Sequence, residues 1–489
     1  MTAYTGTVES LRRTFRSGKT QSLSYRKHCL QSLINLLNDN CDEICGAIYK
    51  DIRKCKTEAY CYENYFVLNE AKDAIRNLKE WAAPKHVSRN LLQALDSAYI
   101  SKQPLGIVLI IGPWNYPIQL LLCPLVGAIA ADSKAYLNHS AMCHYQPDKD
   151  FQLVNRLPKY KDDVVTVVNG GVEETTELVK ERFDHIFFTG STLVGKQIMQ
   201  AATHPVIVDK ESNIALTAKR IAWGKLIACG QTCLAPDYIY CHESIKNELI
   251  EELKKSIGKA YGSNPQSSSD YCRIVNERHF ARLSKLISHS GRIVYGGHLD
   301  RSDLYISPTI LDDVSTNDPA MREEIFGPVL PILSYVNVEE AIEYVNDNEK
   351  PLALYVFSTN GSFVKDVLSR TSSGGVSVND VIMHLALETL PFGGVGHSGM
   401  GRYHGKYSFD CFTHERSVLY RPQCGEKVQV CQMRYPPYDS TKLVWAKRVL
   451  SRRQLIPLPL LYFVPLCIFG FFMAFLLKDQ CDDCGILVS

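Results

Sequence analysis

With 489 residues, 45% apolar and 22% charged, the chain can bury two ordinary cores and is too apolar to be intrinsically disordered. Its 54 Lys+Arg against 52 Asp+Glu leave a formal charge of +2, without the basic excess that a nucleic-acid binder needs to track phosphates. Its 17 cysteines are scattered, odd in number and follow no secretory leader, so they read as reduced thiols rather than a disulfide framework.

The first segment carries Arg12, Arg13, Arg16 and Lys19 with no uninterrupted apolar stretch, which argues against both a signal peptide and a first membrane span. Residues 25–49 and 60–81 have apolar positions at three-to-four spacing and predict helices, a packing and partner surface. At 106–112 the pattern changes to a continuous apolar run bounded by glycines, the mark of a strand buried on both faces. A helix over 118–131, strands at 135–137, 164–168 and 185–188, and a helix over 173–182 follow. This alternation predicts right-handed crossovers in a doubly wound α/β sheet. Mixed alternation over 221–395, with strands at 335–336 and 353–357, predicts a second α/β domain. A β-rich stretch over 409–422 reads as an arm to another subunit.

The last apolar segment, 455–477, is 23 residues without formal charge, long enough at about 1.5 Å per residue to cross a hydrocarbon core of about 30 Å. Pro457, Pro459 and Pro465 argue against a buried core helix. Lys442, Lys447, Arg448, Arg452 and Arg453 precede it and Asp479, Asp482 and Asp483 follow, so the positive-inside rule leaves the large N-terminal part cytosolic. The expectation is a tail-anchored protein, with the endoplasmic reticulum as its membrane. Cys481 and Cys484 form a single pair, too few for a tetrahedral zinc site, and no metal is assigned.

Four segments carry chemistry. Phe187-Phe188-Thr189-Gly190-Ser191, continuing to Gly195, places a glycine turn between strand and helix, where free N–H groups favour a phosphate. Gly112-Pro113-Trp114-Asn115-Tyr116-Pro117 puts an amide at the C-terminal end of a buried strand, where an oxyanion donor would be useful. Cys229-Gly230-Gln231-Thr232-Cys233-Leu234-Ala235-Pro236 offers a cysteine beyond a glycine turn. In addition, Glu323-Glu324-Ile325-Phe326-Gly327-Pro328 supplies a carboxylate and a ring two residues apart, able to bond a ribose and bound a nicotinamide.

With Pro391-Phe392-Gly393-Gly394-Val395-Gly396, these motifs occur together and in order, and the chain closely resembles the aldehyde dehydrogenase family of the class 3 type, its membrane-bound fatty-aldehyde members above all. The resemblance implies NAD-dependent oxidation of medium- to long-chain aldehydes to carboxylic acids by a homodimer. It also implies a Rossmann-type cofactor domain with the N-terminal helices (1–207), an α/β catalytic domain (208–395) and a β oligomerisation arm (396–425), then a linker (426–454) and the span. It maps Cys233 to the nucleophile and Asn115, with the Cys233 N–H, to the oxyanion donors. Thr189, Gly190, Ser191 and Gly195 fall near the pyrophosphate, and Trp114, Glu324 and Phe326 around the nicotinamide and its ribose.

Two departures stand out. The family's general base is a glutamate in a Glu-Leu-Gly-Gly strand between the Gly195 helix and the nucleophile, and no such motif occurs here. Glu211, 22 positions before Cys233, is the one glutamate in that interval and reads as a charge at a helix start. Either residues 205–209 slide in to replace the missing strand, or the first domain is poorly formed. Where the family has a lysine that bonds the adenosine ribose stands Asn138, which should weaken cofactor affinity, and Asp132 replaces a glycine and should disturb the turn before that strand. The alternative to an active enzyme is a catalytically impaired or incompletely spliced form serving as a membrane-anchored dimer partner.

Overall fold

The computed structural model describes residues 4–89, 93, 96–140, 164–190, 203–423 and 432–451. They fall into two compact units, Met1–Trp81 with Pro104–Thr413, and Ala82–Gln103 with His414–Ser489.

The larger unit opens with helices α1 (Thr5–Arg16), α2 (Leu23–Asp39) and α3 (Cys41–Ile52). The Ser22 hydroxyl caps α2 by accepting from the Tyr25 N–H at 3.1 Å, which satisfies one of the free donors of the first turn. A short helix, Lys56–Ala59, runs through a π turn, Tyr60–Asn64, into α4 (Tyr65–Trp81).

The first sheet is all parallel. β3 (Ile107–Gly112), β4 (Lys134–Ser140), β5 (Val165–Gly170) and β6 (His185–Phe188) lie in the order β5-β4-β3-β6. All six residues of β3 are buried, as the unbroken apolar run required, each large side chain contributing about 2 kcal/mol of burial. The connection from β3 is α5 (Gln119–Ala130), buried on every side. Between α5 and β4, Asp132 takes φ 64°, a left-handed conformation, yet the turn is well formed. Its buried carboxylate pairs with Lys134 Nζ at 3.0 Å and accepts from the Thr20 hydroxyl, so the residue expected to disturb the turn anchors it instead.

The second sheet has seven strands, in the order β15-β14-β7-β8-β13-β12-β9. These are β7 (Pro205–Val208), β8 (Tyr238–His242), β9 (Arg292–Tyr295), β12 (Thr309–Asp312), β13 (Val329–Tyr335), β14 (Ala353–Phe357) and β15 (Gly375–Val378); a small antiparallel pair, β10 (Leu299–Asp300) and β11 (Tyr305–Ile306), stands apart. All pairings are parallel except β12 with β9.

β7 decides the question raised by the missing strand. Val206 pairs with Tyr355 on one side and Ile239 on the other, and the whole of β7 is buried in the second sheet. It therefore does not slide into the first, and the expected boundary at 207 runs through it. Nor is the first sheet poorly formed: its four strands pair in full register, and among the described residues β6 is simply its edge, with Ile186 48% and Phe188 43% exposed.

In the smaller unit β1 (Lys85–His86) is antiparallel to β2 (Ser97–Pro104), and β16 (Thr413–Tyr420) lies on the other side of β2. A helix, Ser440–Ser451, occupies part of the stretch expected to be linker. The apolar run 455–477 lies outside the described residues, among which no helix is long and apolar enough to cross a membrane.

Candidate active site

β3 and β6 are neighbours, and the chain leaves β3 toward β4 on one side and returns to β6 on the other. Ligands of open α/β sheets bind at such a reversal, outside the carboxyl ends of the strands. Ile111 is opposite Phe188, so the loop carrying Trp114 and Asn115 and the loop starting at Thr189 and Gly190 leave the sheet side by side. The Thr189 N–H donates to the Ile111 carbonyl at 3.0 Å and extends that register by one step. Ser191 and Gly195 lie outside the described residues.

The cysteine loop follows the helix Ile214–Leu226, whose N-cap Asn213 accepts from the Leu216 N–H at 3.1 Å. Ala228 (φ 49°), Cys229 (φ 57°) and Gly230 (φ 73°) are three successive left-handed residues, a conformation costing about 1 kcal/mol or more at each residue with a Cβ. Side chains from several elements hold it. The Glu58 carboxylate accepts from the Ala228 N–H at 3.1 Å. Gln231 Nε2 donates to the Ala228 and Arg273 carbonyls at 3.0 and 2.9 Å, and Gln231 Oε1 accepts from the Val275 N–H at 3.0 Å. The Tyr355 hydroxyl donates to the Leu234 carbonyl at 2.7 Å. Cys233 emerges half-buried, whereas Cys229 is fully enclosed.

The amide loop meets this loop directly. Asn115 Nδ2 donates to the Gln231 carbonyl at 3.0 Å, and the Tyr116 hydroxyl lies 2.9 Å from Thr232 Oγ1. One N–H of the Asn115 amide is thus committed, and the second is left to act as a donor.

The third loop completes the site. Phe326, at φ 50°, packs edge-on against Trp114 with ring centres 5.6 Å apart. Asp237 fixes the backbone beside Glu324: its Oδ1 accepts from the Ile325 N–H at 3.0 Å, while Oδ2 accepts from the His204 N–H at 2.9 Å and lies 3.1 Å from His204 Nδ1. The approach of this loop to the cysteine loop is so close that a Cβ on Gly230 would lie 2.3 Å from the Gly327 carbonyl oxygen.

Burial and then the Glu324 charge push the Cys233 thiol up to about 12. Burial and then Asp237 raise Glu324 to about 7. Lys225 is buried with no hydrogen-bond partner for its Nζ, and burial lowers it to about 8 against the pull of Asp237 and Glu324.

The aldehyde dehydrogenase family model matches residues 3–418. The chain belongs to the aldehyde dehydrogenase family. It is 46% identical over 460 residues to aldehyde dehydrogenase family 3 member A2 of Mus musculus, covering 91% of this chain and 94% of the relative. It is also 46% identical over 451 residues to the dimeric NADP-preferring aldehyde dehydrogenase of Rattus norvegicus, covering 89% and 98%. A solved structure described as the substrate-bound state of Staphylococcus aureus AldH superposes with a TM-score of 0.88 at 40% identity, over 92% of this chain and all of that one. With membership goes the family's reaction, oxidation of an aldehyde with NAD.

The described residues fit the nicotinamide half of that cofactor. Glu324 is half-buried between the two loops and bonds to no other described side chain, so its carboxylate can accept from a ribose diol, and the Trp114–Phe326 pair offers flat apolar surface for a ring. Asn138 stands in β4 opposite Ile111, and its side chain lies outside the described residues. Glu211 does not occupy a helix start. It precedes the Asn213 cap, with no acidic residue in the first turn, and accepts from Asn360 Nδ2 at 3.2 Å.

Sequence reasoning missed Lys54, Glu58, Glu63, Lys225 and Gln231. None lies in a pattern that separates a buried polar side chain from a solvated one.

Proposed function

We propose that the chain oxidises aldehydes with NAD through a thioester on Cys233, and that Glu324 takes over the proton transfers of the absent family glutamate. The observation that supports this reading most is the bond from the Asn115 amide to the backbone two residues before Cys233, which aims an oxyanion donor at the nucleophile loop. At neutral pH Cys233 is a thiol and needs a base. Glu324, raised to about 7, is half ionised there and is the anion that acts on Cys233.

The steps follow from these groups. The Cys233 proton passes to the Glu324 carboxylate as sulfur bonds to the aldehyde carbon, and the carbonyl pair moves onto oxygen, held by the Asn115 amide and the Cys233 N–H. NAD, when bound, supplies the acceptor for the hydride that leaves that carbon. The carbonyl reforms as a thioester and Glu324 releases its proton to solvent; water then adds with a proton passing to Glu324, and collapse expels the Cys233 sulfur, which takes that proton back as the acid leaves.

The relative named as dimeric supports a homodimer built through the 396–425 arm, and the sequence's resemblance to fatty-aldehyde members supports medium- to long-chain substrates. The apolar run 455–477 supports a tail anchor that holds the enzyme where such aldehydes dissolve. A second reading, a dimer partner that acylates but does not turn over, is favoured by the absence of the family's Glu-Leu-Gly-Gly motif between Gly195 and Cys233.

Rapid-mixing NADH absorbance on the full chain in detergent, with NAD and a long-chain aldehyde, separates the two. Continued turnover that is lost in Cys233→Ala supports the enzyme. One NADH per active cysteine followed by a stall supports the partner subunit. No NADH from folded protein rejects both.

A further inference from the structure

The N-terminal helices reach the reaction site through two buried charges. Arg53 ends α3 at φ 53°, and Lys54 follows it into the interior. The π turn Tyr60–Asn64 adds a residue to the helical repeat and brings both Glu63 and Asn64 to the buried side, where Asn64 Nδ2 donates to the Leu37 carbonyl at 3.1 Å. The Lys54 and Glu63 side chains are 0% exposed, with Nζ 2.7 Å from Oε1.

Their remaining bonds go to one loop. Lys54 Nζ donates to the Asn115 carbonyl at 3.0 Å and sits 3.9 Å from the centre of the Tyr116 ring. Glu63 Oε2 accepts from the Ile118 and Gln119 N–H groups at 3.0 and 3.3 Å, where α5 begins. The carboxylate thus satisfies donors that a helix start leaves free, and the ammonium grips the carbonyl of the residue whose amide bonds the cysteine loop at Gln231. A buried ion pair is a poor source of stability, because desolvation offsets the attraction. What this pair supplies is a fixed backbone at both ends of the amide loop.

We infer that Lys54 and Glu63 are positioning residues for the oxyanion donor, clamping residues 115–118 so that the Asn115 amide and the Cys233 N–H converge on one oxygen. The inference rests on Cys233 being the nucleophile. It does not depend on which group serves as base. With the clamp released, Asn115 keeps its bond to Gln231 but its backbone can shift, and a displacement of about 1 Å at such a donor lowers the rate about 10²-fold.

The test uses p-nitrophenyl acetate on the full chain, since release of the first p-nitrophenolate needs the thiol and the oxyanion donors but neither NAD nor deacylation. The double variant Lys54→Met with Glu63→Gln leaves no lone buried charge. Its burst rate constant should fall about 10²-fold at unchanged amplitude per folded chain. Glu63→Gln alone, which keeps an acceptor for Ile118, should fall less. In an Asn115→Ala background the double change should have no further effect, because the amide it positions is gone.

Because the amplitude counts folded sites, a variant that folds in part still reports its rate. Equal rate constants in the wild type and both variants would overturn the inference, as would a loss of equal size with and without Asn115. A burst that persists in Cys233→Ala would instead overturn the nucleophile reading.

Discussion

The two sheets of the larger unit hold their chemistry with unequal completeness. The seven-stranded sheet and its loops present a strained cysteine turn tied by Glu58 and Gln231 at Ala228 and by Tyr355 at Leu234. Among the described residues the four-stranded sheet ends at β6, and in the turn before β4 the buried Asp132 is paired with the nearby Lys134. Loss of a strand at the edge of a parallel sheet leaves the other pairings intact. Loss of a residue from the cysteine loop would leave buried polar groups unpaired at about 1–3 kcal/mol each. An edge is where such a sheet can be shortened and still form.

That contrast is broken most directly at the nucleophile. Cys233→Ala should lower NADH formation by about 10³-fold or more, measured by absorbance with a saturating aldehyde, since no covalent path remains. Next comes the substitute base. Glu324→Gln should lower steady-state turnover by about 10²–10³-fold. In the wild type the rate should climb as pH rises through about 7, because the carboxylate raised to that value must be ionised to accept a proton. A pH–rate profile in which Glu324→Gln keeps that limb would assign it elsewhere.

The compensated turn should respond in stability rather than rate. Asp132→Ala removes one partner of a buried pair and should cost about 3 kcal/mol in urea unfolding, whereas Asp132→Gly with Lys134→Ala should cost much less. The smallest effect is expected at the cofactor's far end. Asn138→Lys should tighten NAD by a factor of about ten or less in a fluorescence titration, one charge-assisted bond being worth about 1 kcal/mol.

Regular structure was legible where one physical signal dominated. The apolar run at 106–112 became β3, and 185–188 became β6 with the same bounds, because burial on both faces or a short apolar strand leaves few alternatives. The site loops were legible as motifs, through resemblance more than through spacing. The clamp at Lys54 and Glu63 was not: 25–49 and 60–81 predicted helices by apolar period, and that period is blind to a π turn that rotates two polar residues inward. The helix expected over 60–81 accordingly begins as regular α-helix only at Tyr65. Glu211 was misplaced for a related reason, since a carboxylate two residues before a cap looks in sequence like one inside the first turn.

Gly230 has a consequence of its own. The gap between the cysteine loop and the loop carrying Glu324 is set where a methyl group is lacking, against the Gly327 carbonyl. A spacing fixed by atomic contact does not titrate and is not screened by salt. The proton occupancy of Cys233 and Glu324 can therefore change through a catalytic cycle while the distance between their backbones stays constant, a mechanical stop beneath a chemical switch.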